Sequence, residues 1–148
     1  MRQISWDRSA RIVALVLVGL SLLLPLYRLN SLGAPTAVNV FAWEAVSADA
    51  AFILVFAAPA LVAVGLARIP RRKLGSVVLA VAPLALLYSA MVAVVVSGMA
   101  AVGVPFWRPA QSALGAGCWA LVLADLVLLA AWGRVAWRGL RGQPRVAI

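Results

Sequence analysis

Long apolar runs alternate with short basic or Gly/Pro-containing segments along this chain, and four runs predict membrane-spanning α-helices: 12–27, 50–67, 74–99 and 112–133. A hydrocarbon layer about 30 Å thick calls for roughly 20 apolar residues at 1.5 Å rise each. The first run is short but bracketed by Arg11 and Arg28, whose long side chains snorkel toward headgroups. A cleaved signal peptide is disfavoured there, because Tyr27-Arg28-Leu29-Asn30 lacks small residues at cleavage spacing. The second run ends in the basic turn Arg68-Ile69-Pro70-Arg71-Arg72-Lys73, and the fourth gives way to a basic tail, 134–148.

Between the first two runs, residues 29–49 carry Asn30, Ser31, Gly33, Pro35, Thr36 and Asn39 before Phe41-Ala42-Trp43-Glu44. Gly33 and Pro35 break any long helix, while Val38, Phe41, Trp43 and Val46 suit the headgroup layer, so a loop with a short interfacial helix is expected. Pro59 and Pro83 fall inside the second and third runs. Neighbouring helices re-satisfy carbonyls freed by proline in a membrane, so mild kinks are expected there. The pattern thus predicts an all-α membrane protein: one domain over 1–148, a four-transmembrane-helix bundle with an interfacial helix in its first external loop.

Composition agrees with an apolar medium, since 66% of the 148 residues are hydrophobic and 11% charged, against about 25% charged in ordinary soluble domains. The distribution of charge then orients the chain. Four crossings put Arg2, Arg8, Arg11, Arg68, Arg71, Arg72, Lys73, Arg134, Arg138, Arg141 and Arg145 on one side, and only Arg28 and Arg108 on the other. Basic segments resist translocation, so both termini are expected in the cytoplasm and the chain in a bacterial inner membrane, as a multi-pass protein. Placed beside apolar runs, the net charge of +9 points to anionic lipid headgroups at Arg71, Arg72, Lys73, Arg134 and Arg138, and away from nucleic acid.

Several chemistries drop out. With no histidine and a single cysteine, Cys118, the chain has no intrachain disulfide, no His-ligated metal or haem and no Ser-His-Asp set. Neither phosphate-binding glycine motif occurs, and Glu44 and Asp49 are not spaced to share a helix face as a paired acid and base. No enzyme activity, cofactor, metal or soluble small-molecule substrate is expected. Trp43 and Glu44 offer an external contact instead, and Trp6, Trp107, Trp132 and Trp137 suit interfacial anchoring.

One residue stands in an expensive place. Asp125 lies nine residues before Arg134, roughly 13 Å into the fourth run, where a carboxyl group costs about 2.5–3.5 kcal/mol on insertion scales. Seven-residue steps put Gly117, Cys118, Ala124, Asp125, Ala131 and Trp132 on one small or polar face, which predicts a close-packed helix seam. Depth matching brings Tyr88, Ser89 and Ser21 within reach of Asp125, and at least one hydrogen bond to it from this set is expected. Asp125 is then either an uncharged packing link or a protonatable site in a transport path, the first being favoured because a path needs several polar groups in series.

Leu24-Pro25-Leu26-Tyr27, the loop segment Ala42-Trp43-Glu44-Ala45-Val46 and the opening Gly115-Ala116-Gly117 together resemble small uncharacterised four-helix integral membrane proteins of high-GC bacteria. The resemblance covers most of the chain and implies topology, not activity. Small multidrug transporters, which also have four short spans, carry a glutamate in the first helix where this chain has Ser21. Scarcity of polar groups and small size favour a non-catalytic accessory or assembly subunit of a larger bacterial membrane complex, with other integral membrane subunits and membrane lipids as partners. A small oligomeric proton- or cation-coupled transporter using Asp125 is the alternative.

Overall fold

A computed structural model describes residues 3–30, 37–48, 50–68, 74–100 and 114–141. In chain order these form helix α1 (Gln3–Leu23), strands β1 (Pro25–Asn30) and β2 (Ala37–Phe41), and helices α2 (Ala42–Ala48), α3 (Ala51–Arg68), α4 (Leu74–Ala100) and α5 (Ala116–Arg141).

Four spans are not supported by the described residues. Among the described residues one helical stretch, Ala116–Arg138, is long and apolar enough to cross a membrane, while Phe52–Ala67 and Leu79–Val95 are apolar but shorter. The first expected span fails for a visible reason. Asp7, Arg8 and Arg11 occupy the early turns of α1, and the helix ends just before Pro25, where the chain turns into a strand. What remains, Ile12–Leu23, falls well short of about 20 apolar residues. The cytoplasmic placement of both termini rested on an even number of crossings and goes with them.

The all-α reading also needs correction, because the segment expected to be loop pairs as an antiparallel ribbon, Asn30 opposite Ala37 and Arg28 opposite Asn39. Its register shifts between Pro25 and Tyr27, leaving Leu26 without a partner across the ribbon. The Leu26 carbonyl instead accepts the Gly115 N–H at 2.9 Å, and Tyr27 bridges to Leu114. The ribbon is thereby tied to the start of α5. The short helix α2 follows directly, and Glu44 reaches back so that its Oε2 accepts the Phe41 N–H at 3.0 Å, half of a capping box.

The long helices pack antiparallel in neighbouring pairs. α1 meets α5 with Asp7 beside Arg138 at one end and Ser21 beside Gly117 at the other. α4 meets α5 from Leu79 at Trp132 to Ala93 at Cys118. Small residues permit the closeness. A Cβ at Gly115 would lie 1.9 Å from the Pro25 carbonyl oxygen, and one at Gly117 would lie 2.7 Å from that of Leu24, so only glycine fits at either place. Ala14, Leu86, Leu121, Ala124 and Leu128, all fully buried, fill the centre of the core.

Candidate functional site

Proline sets the requirements of the core. Pro59 in α3 and Pro83 in α4 have no N–H to return to the carbonyl four residues earlier, which leaves Val55 O and Leu79 O without their helical donor. A buried carbonyl without a donor is costly, so the sequence must supply one from elsewhere. Both donors are side chains of the next helix. Ser89 Oγ of α4 donates to Val55 O at 2.7 Å, and Trp132 Nε1 of α5 donates to Leu79 O, also at 2.7 Å. The expected repair by neighbouring helices is made, and it links α3 to α4 and α4 to α5.

This arrangement changes the roles of residues singled out in the sequence. Trp132, expected at a membrane interface, turns its indole N–H inward to a backbone carbonyl. Ser89 is fully buried and lies beside the Asp125 carboxyl, but its single hydroxyl proton is committed to Val55. Ser21, also fully buried, donates within its own helix to Val18 O at 2.6 Å. Tyr88 faces outward, 44% exposed. It lines an apolar groove of about 570 Å³ between α3 and α4, with Leu54, Ala58, Leu61, Val81 and Ala85.

Asp125 is therefore fully buried, and neither of its carboxyl oxygens has a hydrogen-bond partner among the described residues. The expected bond from Tyr88, Ser89 or Ser21 is not made: the two serine hydroxyls serve backbone carbonyls, and Tyr88 lines the outer groove. Around Asp125 on the inward face of α5, Gly117, Cys118, Ala124 and Ala131 are all buried. Cys118 Sγ lies 3.5 Å from the Ala93 carbonyl oxygen, which makes the thiol a weak donor to α4. No group of three His, Cys, Asp or Glu side chains among the described residues is placed to hold a metal ion.

The remaining candidates lie at the surface. Trp43 is 59% exposed and stacks on Phe41 with ring centroids 6.4 Å apart. The carboxylate of its neighbour Glu44 serves the α2 cap, so of the two residues expected to offer a contact Glu44 is committed within the chain and Trp43 is exposed. Arg138 makes a two-pronged ion pair with Asp7, at 2.8 and 3.3 Å, and Arg134 lies over the Trp6 ring at 3.9 Å. Arg71, Arg72 and Lys73 lie outside the described residues, as do Trp107 and 142–148 of the basic tail. Proline arithmetic, counting four residues back from Pro59 and Pro83, would have found the two acceptor carbonyls from sequence; the donors needed the antiparallel pairing. Compared with protein-family models, with curated proteins and with solved structures, the chain matches none.

Proposed function

We propose that the chain is a non-catalytic accessory or assembly subunit of a larger protein complex in a bacterial cytoplasmic membrane, with α5 as its crossing helix. The observation that carries this reading is a division of labour among side chains. Inside, the hydroxyls of Ser21 and Ser89 and the Trp132 indole N–H serve backbone carbonyls and leave no convergent polar set for chemistry among the described residues. Outside, the long helices present apolar side chains: Val16 and Leu20 on α1, Leu54 and Leu61 on α3, Leu84 and Met91 on α4, Leu123 and Leu126 on α5, each more than 40% exposed. Apolar surface on that scale suits lipid tails and partner helices better than water.

Purification from native membranes in mild detergent tests the reading: partner membrane proteins should co-migrate with the chain. Migration alone under every condition, or a monodisperse protein without any amphiphile, contradicts it.

One observation favours a second reading. A buried carboxyl with both oxygens unpartnered is unusual enough to suggest use, as the coupling site of a small oligomeric proton- or cation-dependent transporter. Reconstituted in liposomes, such a protein moves protons or a cationic solute, and Asp125→Asn abolishes the flux; no flux, or flux indifferent to the substitution, ends this reading.

A further inference from the structure

Basic side chains gather where the start of α1 lies beside the end of α5: Arg8, Arg11, Arg134 and Arg138. Asp7 is the one carboxylate there, and it faces Arg138 in the two-pronged pair. The backbone carbonyl of Asp7 takes the Arg11 Nε donor at 3.0 Å. Arg134 pairs with no carboxylate among the described residues; its guanidinium lies on the face of Trp6, 3.9 Å from the ring centroid. A ring face accepts no conventional hydrogen bond from the guanidinium, so a cation held in this way keeps N–H donors for another acceptor, and arginine can take a phosphate by two parallel bonds. Arg8 and Arg134 are both exposed, so this end keeps a positive excess after the ion pair is made.

Two further features select the anion. Arg134 sits one turn inside the end of the Ala116–Arg138 stretch, the depth of the headgroup layer if α5 crosses a bilayer. Trp6 and Trp137 stand at the same end, 42% and 57% exposed, and exposed indoles settle at that layer.

We propose that the Trp6–Arg134 stack, supported by Arg11 and the Asp7–Arg138 pair, is a docking site for the phosphate of an anionic phospholipid. This rests on the membrane reading above. It also reassigns the headgroup contact: Arg134 takes the lipid, and Arg138 is committed within the protein.

The test uses the full chain in nanodiscs of phosphatidylcholine alone or of an equal mixture with phosphatidylglycerol, with thermal unfolding followed by circular dichroism. The anionic mixture should raise the midpoint by about 2–4 °C. Arg134→Gln and Trp6→Leu should each abolish the rise relative to their own midpoints in phosphatidylcholine. Arg134→Lys, which keeps the charge but loses the planar stack, should lose most of it, and Arg28→Gln, at an exposed arginine on β1, should keep it. Equal midpoints in the two lipids overturn the proposal, as does an equal loss in Arg28→Gln, which marks a bulk charge effect. A rise reproduced by inorganic phosphate in phosphatidylcholine discs also overturns it, by showing a free-anion site. Failure of the chain to enter either disc overturns the membrane reading and this site together, whereas entry with no lipid difference overturns the site alone.

Discussion

Pro59 and Pro83 open the same gap in two helices, and different chemistry closes each. At Pro59 a small hydroxyl does it in a fully enclosed place, with Ser89 0% and Val55 1% exposed. At Pro83 a long indole reaches across from α5 to Leu79 O, and donor and acceptor residues are both only half-buried. The difference teaches where a lost donor can be replaced. Water or a headgroup can approach a partly open carbonyl, while a sealed one has nothing but the side chain provided.

Ser89→Ala should therefore give the largest loss, about 1–3 kcal/mol, because it orphans a fully buried carbonyl. Unfolding in mixed detergent micelles measures it, and a variant as stable as the parent would remove the enclosed site from the account. Asp125→Leu comes next and has the opposite sign. Removing an unpartnered buried carboxyl should leave stability unchanged or raise it by up to about 1–3 kcal/mol, less whatever the larger side chain costs in strain. A clear loss in the same assay would mean that the carboxyl makes a bond the geometry does not contain. Trp132→Phe keeps the ring and deletes the donor at the more open gap, for an expected loss of about 0.5–1.5 kcal/mol. If it exceeded the Ser89→Ala loss, exposure would not be what separates the two sites. Arg138→Gln should matter least, about 0.2–1 kcal/mol, since the pair with Asp7 lies at the surface with the arginine side chain 47% exposed. That loss should shrink further in high salt.

The same two gaps show how far the sequence could be read. Pro59 and Pro83 inside apolar runs announced that α3 and α4 would need outside donors, and the helical runs over 50–67 and 74–99 nearly coincide with those helices. Ser89 is legible as a buried polar group near Asp125, but depth brings residues to one level without saying which group takes a lone proton. Trp132 was hidden by its type: tryptophan near the end of an apolar helix suits an interface, and only the α4–α5 pairing shows a carbonyl within its reach.

Two larger features were not legible. Alternation is too weak in Pro25–Asn30 and Ala37–Phe41 to announce strands, and the ribbon depends on long-range ties to Leu114 and Gly115. Hydropathy also overcounts crossings: it takes apolar length for helical length across Pro25, and it counts the stretches Phe52–Ala67 and Leu79–Val95, which are shorter than a span. Gly115 and Gly117 carry the clearer signal there, since Gly115 lies against Pro25 and Leu26 of β1, and Gly117 against the end of α1, too closely for any Cβ.

A double-mutant cycle between Pro59→Ala and Ser89→Ala tests the central claim most directly. Alanine at 59 restores the backbone N–H, which then donates to Val55 O and leaves the Ser89 hydroxyl redundant. Ser89→Ala should cost about 1–3 kcal/mol in the parent and close to nothing when Pro59 is already alanine, a coupling of the same size. Equal costs in the two backgrounds would show that Ser89 stabilises the fold by some means other than closing the gap that proline opens.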